Sequence, residues 1–119
     1  MPRTTITVTE APFQGKIDNL TFQAADAANG MRLLNPDGRT FLLIKNDSLG
    51  PAQITVLSVP DEAARTGDLL LAVPAGGTGF VPPLRPQWWN QRSGDDAGYI
   101  QIDFDVDTDV TVAAVRQQL

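Results

Sequence analysis

The chain has 119 residues and contains no cysteine and no histidine. Without thiols it can build neither a disulfide framework nor a thiolate metal centre. Without imidazole or thiol, the common nucleophile–base pairs of covalent catalysis are missing. Lysine is scarce too: Lys16 and Lys45 are the only two, and each reads as a solvated surface charge rather than a catalytic amine. Nine Lys and Arg face fourteen Asp and Glu, a net charge of −5. Phosphate neutralisation needs clustered cations, so no nucleic-acid partner is expected. No apolar run approaches the roughly 18 residues of a membrane span, so no membrane partner is expected either. The opening MPRTTITVTE has no apolar signal core, and the chain is expected to be made in the cytoplasm.

What is present is an ordinary globular composition, 42% apolar and 19% charged, with a sustained period of two. Alternating or β-branched runs occupy residues 4–9, 20–24, 32–35, 40–46, 52–59, 69–73, 78–81, 98–106 and 110–116. They are rich in Val, Ile, Thr and Phe and are bounded by Gly, Pro, Asn and Asp. Helix signals are weak: residues 22–31 end in Asn-Gly, and residues 60–66 could form one turn. The expected fold is all-β: an antiparallel β-sandwich, jelly roll or small barrel, with at most a short helix. Asn35-Pro-Asp-Gly reads as a type I turn joining residues 32–35 and 40–45 as a hairpin. The expected core is Phe41, Leu43, Ile54, Val56, Leu70, Val73, Ile100, Ile102, Phe104, Val110, Val112 and Val115.

Residues 11–119 read as a single domain. Residues 1–10 bring only Ile6 and Val8 to bury, and read as an edge strand of their own sheet or as an arm completing a neighbour's sheet. Ile6 and Val8 are therefore candidate protein contacts.

The chemistry is mostly negative. Gly76, Gly77 and Gly79 lack the helix start and lysine of a phosphate loop. Carboxylate pairs exist, but nothing singles out an acid–base couple. Asp103, Asp105, Asp107 and Asp109 lie at alternate positions, with Ile102, Phe104 and Val106 expected to point inward. They read as a solvated face rather than a Ca²⁺ site, since the glycine and terminal glutamate of an EF-hand loop are missing. Two glycosylation sequons, at Asn19 and Asn46, read as chance. No enzyme activity, metal or cofactor is expected.

The one unusual feature is Trp88-Trp89, the only two tryptophans, approached through Pro82, Pro83 and Pro86. On an extended segment the two rings face opposite sides, so one can enter the core while the other stays at the surface. Prolines lower the ordering cost of presenting such a surface, and tryptophan is favoured at interface anchor points. Pro86, Trp88, Trp89 and Asn90 are accordingly candidate protein contacts.

The order AADAANG, NPDGRTFLLIKNDS, ITV, VPAGGTGFVPPLRPQWWNQRSGDDAGYIQIDFD, VTVAAVR, spanning residues 24–116, resembles small all-β proteins of tailed-bacteriophage structural gene clusters. Head decoration (capsid cement) proteins are among them. The resemblance implies a virion protein at the capsid surface, clamping neighbouring shell subunits, with a homo-oligomer (a trimer) and the major capsid protein as partners. The Trp pair maps onto no contact of that family. Two alternatives stand beside this reading. One is a small carbohydrate-binding β-sandwich, with a Trp stacking on a sugar and Asn90 and Gln91 bonding hydroxyls. The other is an enzyme using paired carboxylates, which the absence of a large insertion around any pair disfavours.

Overall fold

β-Branched and aromatic residues at alternate positions favour a pleated, half-buried backbone, and the described residues form ten strands. They are β1 (Thr4–Thr5), β2 (Val8–Ala11), β3 (Gln23–Ala24), β4 (Met31–Leu34), β5 (Thr40–Asn46), β6 (Ala52–Val56), β7 (Leu69–Val73), β8 (Thr78–Val81), β9 (Tyr99–Phe104) and β10 (Val110–Gln117). A one-turn helix, α1 (Pro86–Trp89), sits between β8 and β9. The computed structural model describes residues 3–11, 20–59 and 67–117. Lys16, Asn19 and the turn expected at residues 60–66 lie outside the described residues. The other helix candidate, residues 22–31, instead forms β3, a turn and the start of β4.

Two sheets pack as a sandwich, one ordered β1-β4-β9-β6-β7 and the other β2-β10-β5-β8, with β3 also paired to β10. Neither closes into a barrel. The sheets are mixed rather than purely antiparallel, because β1 runs parallel to β4 and β2 parallel to β10. The chain crosses from one sheet to the other between these first two strands. Ile6 lies at the crossing, 1% exposed, in the shared core. The Thr4 hydroxyl donates to Asp26 Oδ2 at 2.5 Å, and Arg3 Nη1 donates to Asp103 Oδ1 at 2.6 Å. The segment is thus tied into its own sheets by backbone, side chain and burial.

Met31, Leu33, Ile54, Val56, Val73, Ile100, Ile102 and Phe104 fill the core from the first sheet, and Leu42, Ile44, Val81, Val110, Val112 and Ala114 from the second. The face of β5 is opposite to expectation. TFLLIKN is apolar at both parities, so alternation alone cannot orient it. Pairing places Ile44 opposite Val112 and Leu42 opposite Ala114, which leaves Phe41 and Leu43 half-buried on the outer face. Val115 and Ala113, buried opposite them, share that face. Leu70 faces out for the same reason: in LLLAV, Leu69 and Leu71 take the core side. Val106 lies beyond the end of β9 and is exposed.

The Asn35-Pro-Asp-Gly turn makes no hairpin. β4 and β5 belong to different sheets, and the turn carries the chain across. Asn35, fully buried, closes it by side chain: Gly38 N–H donates to Asn35 Oδ1 at 3.1 Å. Gly38 has φ +73°, and a Cβ there would stand 3.2 Å from the Leu84 carbonyl and from Pro86 Cδ. The glycine lets the turn approach the start of α1 closely.

Candidate interaction surface

Pro86 occupies the first helical position, where its missing N–H is not needed and its fixed φ suits the turn. Trp88 and Trp89 N–H both donate to the Arg85 carbonyl at 3.2 Å, and Asn90 N–H donates to the Pro86 carbonyl at 3.0 Å. The two tryptophans therefore sit on a helical turn, not on the extended segment expected. Successive side chains on a helix lie about 100° apart, and that angle separates their fates. Trp89 packs against the core; Trp88 is 42% exposed. The Arg85 guanidinium stacks over the Trp88 ring, 4.9 Å from its centroid. Val59 N–H donates to the Trp88 carbonyl at 2.9 Å, which ties the turn to the chain following β6.

Asn90 is not a surface contact. Its amide donates to the Asn35 carbonyl at 2.6 Å and its Oδ1 accepts from Asn35 Nδ2 at 2.9 Å, inside the protein. At 9% exposure and bonded inward in this way, the Asn90 side chain is not presented to a sugar hydroxyl. Ile6 is likewise core rather than contact, because the chain crosses between sheets at that residue. Val8 is half-buried against the core, and Pro86 is half-buried on the helical turn. Of the six candidate contacts, Trp88 is the one well exposed.

The acidic series is held apart. Asp103 pairs with Arg3, Asp105 Oδ1 accepts from Gln53 N–H at 2.8 Å, and Asp107 Oδ2 accepts from Ala27 N–H at 2.9 Å. Asp109 takes a left-handed backbone, φ 58°. Among the described residues no three acidic side chains converge on a point where a cation could sit. Elsewhere, hydrogen bonds from Thr4 and Asn29 hold the Asp26 carboxyl below the ordinary range. Arg116 does the same for Asp37, as do Gln101 and then Arg32 for Asp96. These are structural carboxylates, ionised and partnered.

Three further apolar side chains stand in water: Leu49 at 103%, Leu70 at 63% and Phe80 at 52% exposure. Leu70 and Phe80 lie on β7 and β8, the last strands of their respective sheets on one flank. Leu49 belongs to a loop at the same end: the Asn46 amide donates to Gly50 O at 2.9 Å and to Val73 O at 3.0 Å. Asn46 is fully buried, which leaves its sequon no exposed amide. Sequence reasoning missed this flank. Its signal was available in the absence of any charged residue from position 69 to position 84.

Compared with protein-family models, with curated proteins and with solved structures, the chain gives no match.

Proposed function

We propose that this chain is a structural protein of a bacteriophage virion, decorating the capsid surface and stabilising it through contacts with copies of itself and with the major capsid protein. One observation carries the reading: large apolar side chains stand in water on the α1 turn and on the β7–β8 flank. Trp88 stands on a proline-started turn, pinned by Val59 and stacked by Arg85, and Leu49, Leu70 and Phe80 stand on the β7–β8 flank. Exposed apolar groups on a stable framework mark protein contact surfaces, and Trp is the residue type most enriched among anchors. The resemblance of residues 24–116 to head decoration proteins supplies the kind of partner, and implies a threefold assembly.

The test is retention on shells assembled from a major capsid protein encoded beside this gene. Wild-type protein is expected to co-sediment with the shells, and Trp88→Ala to weaken retention by a factor of roughly 30, as loss of an anchor worth about 2 kcal/mol would give. A neighbourhood without capsid genes, or shells that retain no protein, would overturn it.

A further inference from the structure

We infer that the free edge of β7 is a homotypic interface, through which two copies of this chain pair strand to strand about a twofold axis. This does not rest on the virion reading: it concerns a contact between two copies in the absence of shells, separate from the threefold assembly that the resemblance implies.

Backbone direction carries the first part. In an antiparallel sheet, successive residues of a strand turn their N–H and C=O to opposite neighbours. Asp105 N–H donates to Gln53 O at 3.1 Å and Leu57 N–H to Gln101 O at 3.0 Å, so the odd residues of the β6 segment face β9. The even ones, Ala52, Ile54 and Val56, face β7 and are opposite Val73, Leu71 and Leu69. The N–H and C=O of Leu70 and Ala72 therefore point away from the sheet. Among the described residues nothing bonds to them. The opposite flank of the molecule is treated differently: there the Gln23 side chain accepts from Thr7 N–H at 2.9 Å and donates to Thr5 O at 3.0 Å, capping the β1 edge. Gln23 thus already occupies groups through which β1 could take a neighbour's strand, whereas two β7 edges meet with no such cap.

Side chains carry the second part. Natural edge strands are protected by charge, proline or bulges. Leu69–Val73 has none of these within it, and it presents Leu70 to water on the outer face. Residues 69–84 carry no charge in a chain of net charge −5. Two acidic copies repel over most approaches, and this flank is where they meet without like charges opposed. With Leu70 of one copy opposite Ala72 of the other, each of the two pairs exchanges an N–H···O=C bond in both directions. Asp68 then lies opposite Pro74 of the second copy, so the two Asp68 carboxylates stand at opposite ends of the seam. Such self-complementary pairing is the isologous arrangement of a twofold dimer, with strand addition as its chemistry.

The experiment uses purified protein and no shells. Sedimentation over a hundredfold concentration range is expected to show monomer giving way to dimer. Amide exchange at Leu70 and Ala72 should be fast in dilute protein and at least about tenfold slower in concentrated protein. Leu70→Lys and Ala72→Lys, both at exposed positions, should abolish the dimer and the protection while melting as wild type; Leu70→Val should keep both. Three results overturn the inference: fast exchange at every concentration, an oligomer indifferent to both lysine variants, or protection that appears only when capsid shells are added. The last would assign the edge to a shell segment, and would leave the capsid reading intact.

Discussion

The side chains of Asn35 and Asn90, 55 residues apart in the chain, clasp each other inside the protein. Asn35 Nδ2 donates to Asn90 Oδ1 at 2.9 Å, and Asn90 Nδ2 returns a bond to the Asn35 carbonyl at 2.6 Å. Asn35 Nδ2 also donates to the Leu84 carbonyl at 2.9 Å. The corner that moves the chain between sheets and the turn that displays Trp88 are thereby one unit. Buried polar groups left without partners typically cost about 1–3 kcal/mol each. Asn90→Ala is expected to lower stability by about 2–3 kcal/mol, read as a shift in denaturant midpoint with an unchanged slope. Asn90→Asp should be no rescue, since a carboxylate cannot donate to the Asn35 carbonyl. A neutral Asn90→Ala would show the clasp to be incidental.

Thr40 gives the opposite sign. It is buried on the core face of β5, and among the described residues its Oγ1 has no hydrogen-bond partner. Thr40→Val keeps the β-branched shape and removes the desolvated hydroxyl. We expect stabilisation of about 1 kcal/mol, a rise of several degrees in the melting temperature. A fall in the melting temperature would mean that the hydroxyl is satisfied in solution.

The strands were legible because alternation and turn residues are local signals: TFLLIKN, LLLAV and TGFV begin and end where the strands do. Sheet membership was not legible. Nothing local distinguishes a Pro-Asp-Gly turn that makes a hairpin from one that crosses the sandwich, because a buried Asn35 partner lies 55 residues away. Facing was legible only where one parity is polar, as in β9, and was lost in TFLLIKN and LLLAV, where both are apolar. Of the site, the different fates of the two tryptophans could be read, but not the helical turn that imposes them. A four-residue helix is too short to show a 3.6-residue period.

The first strands should be needed for folding. Ile6 is fully buried and Arg3, Thr4 and Thr5 are bonded across to Asp103, Asp26 and Gln23. Ile6→Ala is expected to cost about 2–4 kcal/mol, and deletion of residues 1–10 to lower the melting temperature severely. A truncated chain that melts like the full one would place the segment outside the folded core.

Acid should destabilise the protein only at low pH. Asp26, Asp37 and Asp96 have carboxyls lowered in the folded state, by Thr4, by Arg116 and by Gln101 respectively. A lowered folded value means that the unfolded chain binds protons first. The stabilisation is therefore complete above the unfolded carboxylate value, about 3.9, and is lost as pH falls below it towards the folded values. With no histidine in the chain, melting temperatures should be level between about pH 5 and 7 and drop below about pH 4. Asp96→Asn, which cannot ionise, should flatten part of that drop. A fall already between pH 7 and 5 would point to a different titrating group.

Trp88 and Trp89 should respond differently to truncation, although they are neighbours on one turn. Trp89 packs on the core, so Trp89→Ala removes apolar contacts that no other group replaces, and we expect a loss of about 2–4 kcal/mol in folding. The Trp88 ring is 42% exposed, with the Arg85 guanidinium stacked over it. A stacked guanidinium at an exposed site is worth about 0.5–1 kcal/mol, so Trp88→Ala should move the melting temperature by no more than a few degrees. Its effect belongs to association: capsid retention should fall by a factor of roughly 30 at unchanged secondary structure. Because the proposed pairing runs through the backbone of Leu70 and Ala72, dimer formation in the absence of shells should survive Trp88→Ala and fail in Leu70→Lys. Measuring both variants in both assays separates the two surfaces. If Trp88→Ala lowers the melting temperature as much as Trp89→Ala and leaves retention untouched, the exposed ring is part of the fold's own packing and carries no contact.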